Sequence, residues 1–172
     1  MDHVFLTTER LRLRHPRPED AETLAAIFVD PEVMTHLGGP RDFGEMVADM
    51  QSEAVAEPNP VDLWPLERLE DEQLVGYCGV VPKEVDGMQE HEVIYILARS
   101  AWGNGYATEA AAGIIDYAFS TLDLDHVISM IHADNDPSAR VALRCGMTHE
   151  RDTVRPGGKH LRVFVRHRAS PS

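Results

Sequence analysis

The chain has 172 residues, 43% of them hydrophobic and 26% charged, the size and composition of a single water-soluble domain with a substantial core. A formal net charge of −13 excludes a general nucleic-acid binder, which needs a basic surface, and fits either a cationic substrate or plain solubility. No run of about 18 apolar residues could span a membrane, and Met-Asp-His-Val-Phe-Leu at the start is no signal peptide, so a cytoplasmic location is expected.

Leu11-Arg-Leu-Arg14 alternates apolar and basic side chains, as a half-exposed first strand does, and His15-Pro-Arg-Pro18 breaks it. Glu19 to Val29 reads as a helix, with acids in its first turn and Leu24, Ile27 and Phe28 on one face; Asp30-Pro31 stops it. Glu32 to Leu37 is expected as a short helical continuation before the turn Gly38-Gly-Pro40. Arg41 to Glu57 is a second predicted helix, with Phe43, Met46, Val47 and Met50 as its apolar stripe. Val61 to Leu69 and Gln73 to Val81 read as strands joined by the acidic turn Glu70-Asp-Glu72. Pro82 to Gln89 is a polar connection with Asp86-Gly87 as a hairpin signal, and Glu92 to Leu97 is a further strand.

Next comes Arg99-Ser-Ala-Trp-Gly-Asn-Gly-Tyr-Ala-Thr-Glu-Ala110, opening a helix to about Ser120 in which Ala107, Ala111, Ile114 and Ala118 recur at helical spacing. His126 to His132 is a strand with Ile128 and Met130 on one face and Val127 and Ile131 on the other. In Asp134-Asn-Asp-Pro-Ser138, Asp136 fits an N-cap and Pro137 the first helical position; a short helix follows to Cys145, and Gly146 ends it. Met147 to Thr153 and Leu161 to His167 close the chain as strands around Pro156-Gly-Gly158. The order predicts an α+β fold over residues 1–172: a mixed, mostly antiparallel sheet with helices on both faces.

Strand, glycine loop and helix N-terminus make a place for an anion, because the loop's N–H groups are unpaired and the helix dipole adds partial positive charge. A Rossmann fingerprint fails, since Thr108 stands where the third glycine belongs, and a P-loop fails for want of a lysine. With Asn135-x-x-Ser138 and Leu143-x-x-Gly146-Met147 downstream, and Leu6-Thr-Thr-Glu-Arg-Leu-Arg-Leu-Arg14 followed by Pro18-Glu-Asp20-Ala21 upstream, the chain resembles the GNAT superfamily of acetyl-CoA-dependent N-acyltransferases. Within it the chain is most similar to the branch of ribosomal-protein N-terminal acetyltransferases, and the resemblance runs over roughly residues 5 to 168.

The resemblance implies that Gly103, Asn104, Gly105, Tyr106, Ala107 and Thr108, after Trp102, bind the pyrophosphate of acetyl-CoA through backbone amides, with no metal. It implies that the strand around Ile96, Leu97 and Ala98 holds the pantetheine arm like an added strand and splays from Val127–Ile131 to leave a slot for the amine. Many superfamily members place a tyrosine on the short helix to protonate the leaving thiolate; the matching position is Ala142, and Ser138 and Asn135 are offered instead, against a reading of Ser138 as a capping residue. Glu92 is the candidate general base, acting through water, or a solvated strand-end acid; His91 beside it is weaker evidence. Glu109 is explained by its place in the first helical turn. Arg140 and Arg144, four apart on the short helix, and Arg99 are candidates for the 3′-phosphate or ordinary surface arginines.

The expected activity is acetyl transfer to a primary amine, a protein N-terminus or a small cationic amine, by direct attack in a monomer or homodimer. The segments from Glu32 to Glu57 and from Arg155 to Lys159 should shape the acceptor site, with Asp42, Glu45 and Asp49 able to attract a cation. The alternative is a non-catalytic acyl-CoA-binding module of the same fold. No metal-ligand spacing occurs, and Cys78 and Cys145 read as small buried hydrophobes.

Overall fold

The structure is a computed structural model that describes residues 3–170. Its strands are β1 (Val4–Thr7), β2 (Leu11–Arg14), β3 (Leu63–Arg68), β4 (Leu74–Val85), β5 (Met88–Leu97), β6 (His126–His132), β7 (Thr148–Arg155) and β8 (Lys159–His167). Its helices are α1 (Ala21–Val29), α2 (Phe43–Ala54), α3 (Tyr106–Ser120) and α4 (Asp136–Arg144). The strands form one sheet in the order β1-β2-β3-β4-β5-β6-β8-β7. Every neighbouring pair is antiparallel except β5 with β6, and that parallel pair is in register at Glu92 and Ile128 alone.

Alternation along β5 sorts the two faces of the sheet. Val93 and Leu97 enter the main core with Ala110, Ala111, Ile114, Ile115 and Ala118 of α3 and Ala139 and Ala142 of α4. Ile96 joins Leu24, Ile27, Met50 and Tyr77 beneath α1 and α2. A third cluster, Val85, Ile128, Val163 and Val165, brings the end of β4 onto β6 and β8. The helices therefore flank the sheet as the sequence predicts, and Ile128 and Val127 lie in different clusters, as their alternation requires.

Several boundaries differ from expectation. The four-residue β1 has no alternation to read; it is held by pairing with β2 and by Phe5 stacked 3.9 Å from the Trp64 ring. Glu32 to Leu37 is a series of turns, not a helix, closed by Met34 N–H to Asp30 O at 3.0 Å and Leu37 N–H to Met34 O at 3.0 Å. The second helix is shorter than Arg41 to Glu57, because Asp42 caps it by accepting from Glu45 N–H at 2.9 Å. Pro82 to Gln89 is not a loop: β4 runs on to Val85 and β5 starts at Met88, and Asp86 and Gly87 make the hairpin turn with φ of +53° and +78°. Asn135, not Asp136, is the N-cap of α4, since its Oδ1 accepts from Ser138 N–H.

Candidate active site

The glycine loop begins where β5 ends. Trp102 is 47% exposed, yet its indole N–H donates to Leu97 O at 3.1 Å and ties the loop to the strand. Asn104 donates from its side-chain amide to Ala101 O at 3.0 Å and Trp102 O at 3.1 Å. Gly103 and Gly105 both have φ of +78°, a conformation that favours glycine, and Gly105 is the N-cap of α3. The first bond of the helix runs from Glu109 N–H to Gly105 O at 3.1 Å, so the N–H groups of Tyr106, Ala107 and Thr108 point out along the helix axis. A Cβ built on Gly103 would meet nothing within 4 Å, so the cradle is open there. These amides, with the dipole of α3 behind them, fit a pyrophosphate.

A clamp from the β1–β2 turn holds this loop, and sequence reasoning missed it. Glu109 accepts from the Thr8 hydroxyl at 2.6 Å, from Arg10 N–H at 2.7 Å and from Arg10 Nε at 2.7 Å. Arg10 then donates from Nη1 to Asn104 O at 2.9 Å and lies over the Tyr106 ring, 4.7 Å from its centroid. Pulling the Asn104 carbonyl outward favours N–H groups turned into the cradle. Burial acts to raise the Glu109 pKa, but the bonds from Thr8 and Arg10 outweigh it and hold the carboxyl below its ordinary range. Glu109 is thus more than a dipole partner, and its contacts span 99 positions in sequence.

The slot lies between β5 and β6. At its vertex the Ser129 hydroxyl donates to Val93 O at 2.6 Å, and beyond that point the registered pairing has ended. The Glu92 carboxylate, 6% exposed, accepts from Met130 N–H at 3.3 Å and sits 3.6 Å from Lys83 Nζ. It is no solvated strand-end acid: burial pushes its pKa up, and Lys83 and the Met130 N–H only partly offset that. By strand alternation Glu92 points to the face of α1 and α2, and His91 to the other.

On the α3 and α4 face, the Tyr95 hydroxyl donates to Ser138 O at 2.9 Å and accepts from Ser138 Oγ at 3.1 Å. Asn135 uses its side-chain oxygen on Ser138 N–H at 3.3 Å, which is the capping role. Of the strand residues assigned to the arm, Ala98 gives its N–H to Val75 O at 2.8 Å, and Ile96, of the same parity, also faces β4. Those two are corrections to the expectation; Tyr95 and Leu97 turn their backbone toward the splay.

The arginines divide clearly. Arg99 is held by Asp30 at 3.3 Å and by Glu32, so it staples the loop after α1 to the glycine loop and is not a free cation for a phosphate. Arg140 and Arg144 are exposed on α4, and among the described residues neither has a hydrogen-bonding or ionic partner. The Cys145 thiol reaches Thr108 O at 3.5 Å, which brings the end of α4 against the start of α3. Both cysteines are buried, and burial pushes both thiols up, so neither offers a thiolate. On the acceptor side, the His36 ring stacks 4.9 Å from that of His132, and Gly38 approaches Lys159 Nζ. The turns after α1 and the β7–β8 turn therefore close over the end of β6, while Glu45 and Asp49 stay exposed on α2.

A parallel strand pair opened beside an amide cradle at a helix N-terminus, in a sheet otherwise antiparallel, defines an acyltransferase fold. The profile of the acetyltransferase (GNAT) domain family matches residues 10–148. The Bacillus subtilis (strain 168) protein YkkB is 35% identical over 163 residues, covering 94% of each chain. An uncharacterized N-acetyltransferase, p20, of Bacillus licheniformis is 29% identical over 171 residues, covering 93% of each. The crystal structure of an acetyltransferase from Agrobacterium tumefaciens str. C58 superposes with a TM-score of 0.78 at 28% identity, covering 95% of this chain and 94% of that one. The chain belongs to the GNAT acetyltransferase family and is an acyltransferase.

Proposed function

We propose that the protein moves an acetyl group from acetyl-CoA directly to a primary amine in a ternary complex. The observation that carries this reading is the placement of the buried Glu92 carboxylate at the vertex of the β5–β6 splay, where the two strands part beside the α3 amide cradle. Acetyl-CoA supplies an activated acyl group as a thioester. Gly103 to Thr108 would hold its pyrophosphate through backbone amides, and the N–H groups of Tyr95 and Leu97 would line up its arm as an added strand. Arg140 and Arg144, the unpartnered arginines nearest α3, are the cations for its 3′-phosphate.

The amine must be neutral to attack. A free α-amine has a pKa near 8, so a modest base suffices, and Glu92 takes the proton directly or through one water. Its raised pKa makes it a better base than an ordinary carboxylate. The acceptor enters from the face where His36, His132 and Lys159 converge, and it is an amine borne on a protein N-terminus or a small molecule. Asn135 caps α4 by accepting from Ser138 N–H, which supports a positioning role for it.

Ala142 favours a second reading, a coenzyme-binding module without turnover, because the short helix lacks a tyrosine there. Thiol release from acetyl-CoA by the purified protein, measured over a panel of amines, separates the two. Amine-dependent release with matching formation of acetylated amine is the expected result. Saturable coenzyme binding with no release on any amine would establish the module.

A further inference from the structure

A thiolate that leaves a thioester needs a hydrogen-bond donor as the C–S bond breaks. Ala142 on α4 cannot provide one. Ser138 lies one turn before Ala142 on the same face of α4, and at Ser138 a phenol arrives from the opposite wall. We propose that the Tyr95 hydroxyl, positioned by Ser138, donates a hydrogen bond to the departing coenzyme A sulfur and stabilises it as a thiolate. This rests on the reading of the splay as an acetyl-transfer site.

The geometry gives Tyr95 two contacts and one spare function. Its oxygen accepts from Ser138 Oγ at 3.1 Å, which fixes the hydroxyl, while its own proton points at Ser138 O at 2.9 Å. That carbonyl lies in the first turn of α4, with Ala142 N–H as its ordinary helical donor, so Tyr95 can turn its proton away without orphaning it. Tyr95 stands two residues along β5 from Val93, whose carbonyl marks the vertex through Ser129. An arm laid along the free edge of β5 therefore passes Tyr95, whose ring reaches from that strand to Ser138 on α4. Burial also pushes the Tyr95 phenol up to about 12, against the pull of its Ser138 bond, so at neutral pH it carries its proton and acts as a donor.

The step balances. The amine nitrogen forms the C–N bond to the acetyl carbon, the C–S bond breaks, and its electron pair stays on sulfur as a thiolate that accepts the Tyr95 hydrogen bond and takes a proton from water on release. Nitrogen gives up one proton, to Glu92 on the opposite face of the sheet. One proton leaves nitrogen and one reaches sulfur from water, with the hydrogen-bond donor and the base on opposite sides of the splay.

Tyr95→Phe removes the hydroxyl and keeps the ring. The direct test is the pKa of the thiol of coenzyme A bound to the protein, followed by thiolate absorbance across a pH titration. A donor aimed at sulfur stabilises the thiolate, so the bound thiol should titrate about one to two pH units lower on the wild type than on Tyr95→Phe. Ser138→Ala, which leaves Tyr95 in place but unfixed, should move it part of the way. Turnover with an accepted amine should fall about 100-fold or more in Tyr95→Phe, with coenzyme affinity unchanged. Equal thiol pKa values on the wild type and both variants would overturn the proposal, as would a loss of affinity with no change in thiol pKa. A shifted thiol without turnover on any amine would support the sulfur contact and remove the transferase reading; turnover with an unshifted thiol would do the reverse.

Discussion

Glu92 is the residue on which the proton accounting turns. Its folded pKa lies above its ordinary value, so between the two the unfolded chain releases the proton first and stability falls as pH rises. The same shift means that the base form is populated later on the pH axis. Activity on a given amine should therefore rise through the raised Glu92 pKa on its acid limb, and Glu92→Gln should lose that limb and about 100- to 10,000-fold in turnover. At pH 8 the melting temperature of Glu92→Gln should equal or exceed that of the wild type, because a buried charge has been removed. A clear loss of stability at that pH would show that Glu92 is held mainly as a structural partner of Lys83.

Glu109 has the opposite sign. Its folded pKa is depressed, so its contribution is present above the ordinary carboxylate pKa and is lost as pH falls through the folded value. Glu109→Gln breaks bonds to Arg10 and Thr8 and should cost about 1–3 kcal/mol in denaturant unfolding at pH 7. It should weaken coenzyme binding as well, since Arg10 would no longer hold the Asn104 carbonyl. Unfolding curves and coenzyme titration on the one variant read both effects.

At the scale of elements, α3 carries both the core and the proposed donor cradle. Ile114 and Ile115 are fully buried under the sheet, and Ile114→Ala should cost about 2–5 kcal/mol by the cavity it leaves. Gly113 lets β1 lie on this helix: a Cβ there would come within 2.9 Å of the Thr8 methyl and 3.0 Å of Leu6 Cδ2. That contact seats the β1–β2 turn, and the turn delivers Arg10 to the glycine loop. The helix was legible in the sequence because Ala107, Ala111, Ile114 and Ala118 repeat at its period. The loop was legible because Gly-x-Gly sits between a strand and that helix. The β1 strand was not, since four residues are too few to show alternation, and the Arg10–Glu109 clamp was not, since no local pattern joins a turn to a helix so far along the chain. The Tyr95–Ser138 pair was hidden likewise: Tyr95 reads only as an apolar strand residue, and its partner is 43 positions away. The α4 cap was misassigned by one residue because Asn and Asp are equally good caps, and only the bond to Ser138 N–H distinguishes them.

At the scale of the whole molecule, the proposed reaction asks an acidic protein to receive a polyanionic donor. Its net charge of −13 would repel coenzyme A at long range, so the proposal requires local cations that offset that field. Arg10, Arg12, Arg14, Arg68, Arg99, Arg151 and Arg168 are each engaged by acids. Among the described residues Arg140 and Arg144 have no acidic partner, and their helix ends against the start of α3 through the Cys145–Thr108 contact. Replacing both with alanine should weaken coenzyme A severalfold but leave dephospho-coenzyme A nearly unaffected, because only the former carries the 3′-phosphate. Equal losses for the two ligands would place that phosphate elsewhere.

The donor cradle is the centre of this account, and calorimetric titration of coenzyme A against the wild type and Gly105→Val tests it most directly. Valine at φ of +78° strains the loop and sets a branched side chain against Arg10, whose Nη2 would lie 3.5 Å from its Cβ. Saturable one-site binding by the wild type, abolished in a Gly105→Val protein that still melts cooperatively, is the result predicted. Equal affinity in the folded variant would contradict it.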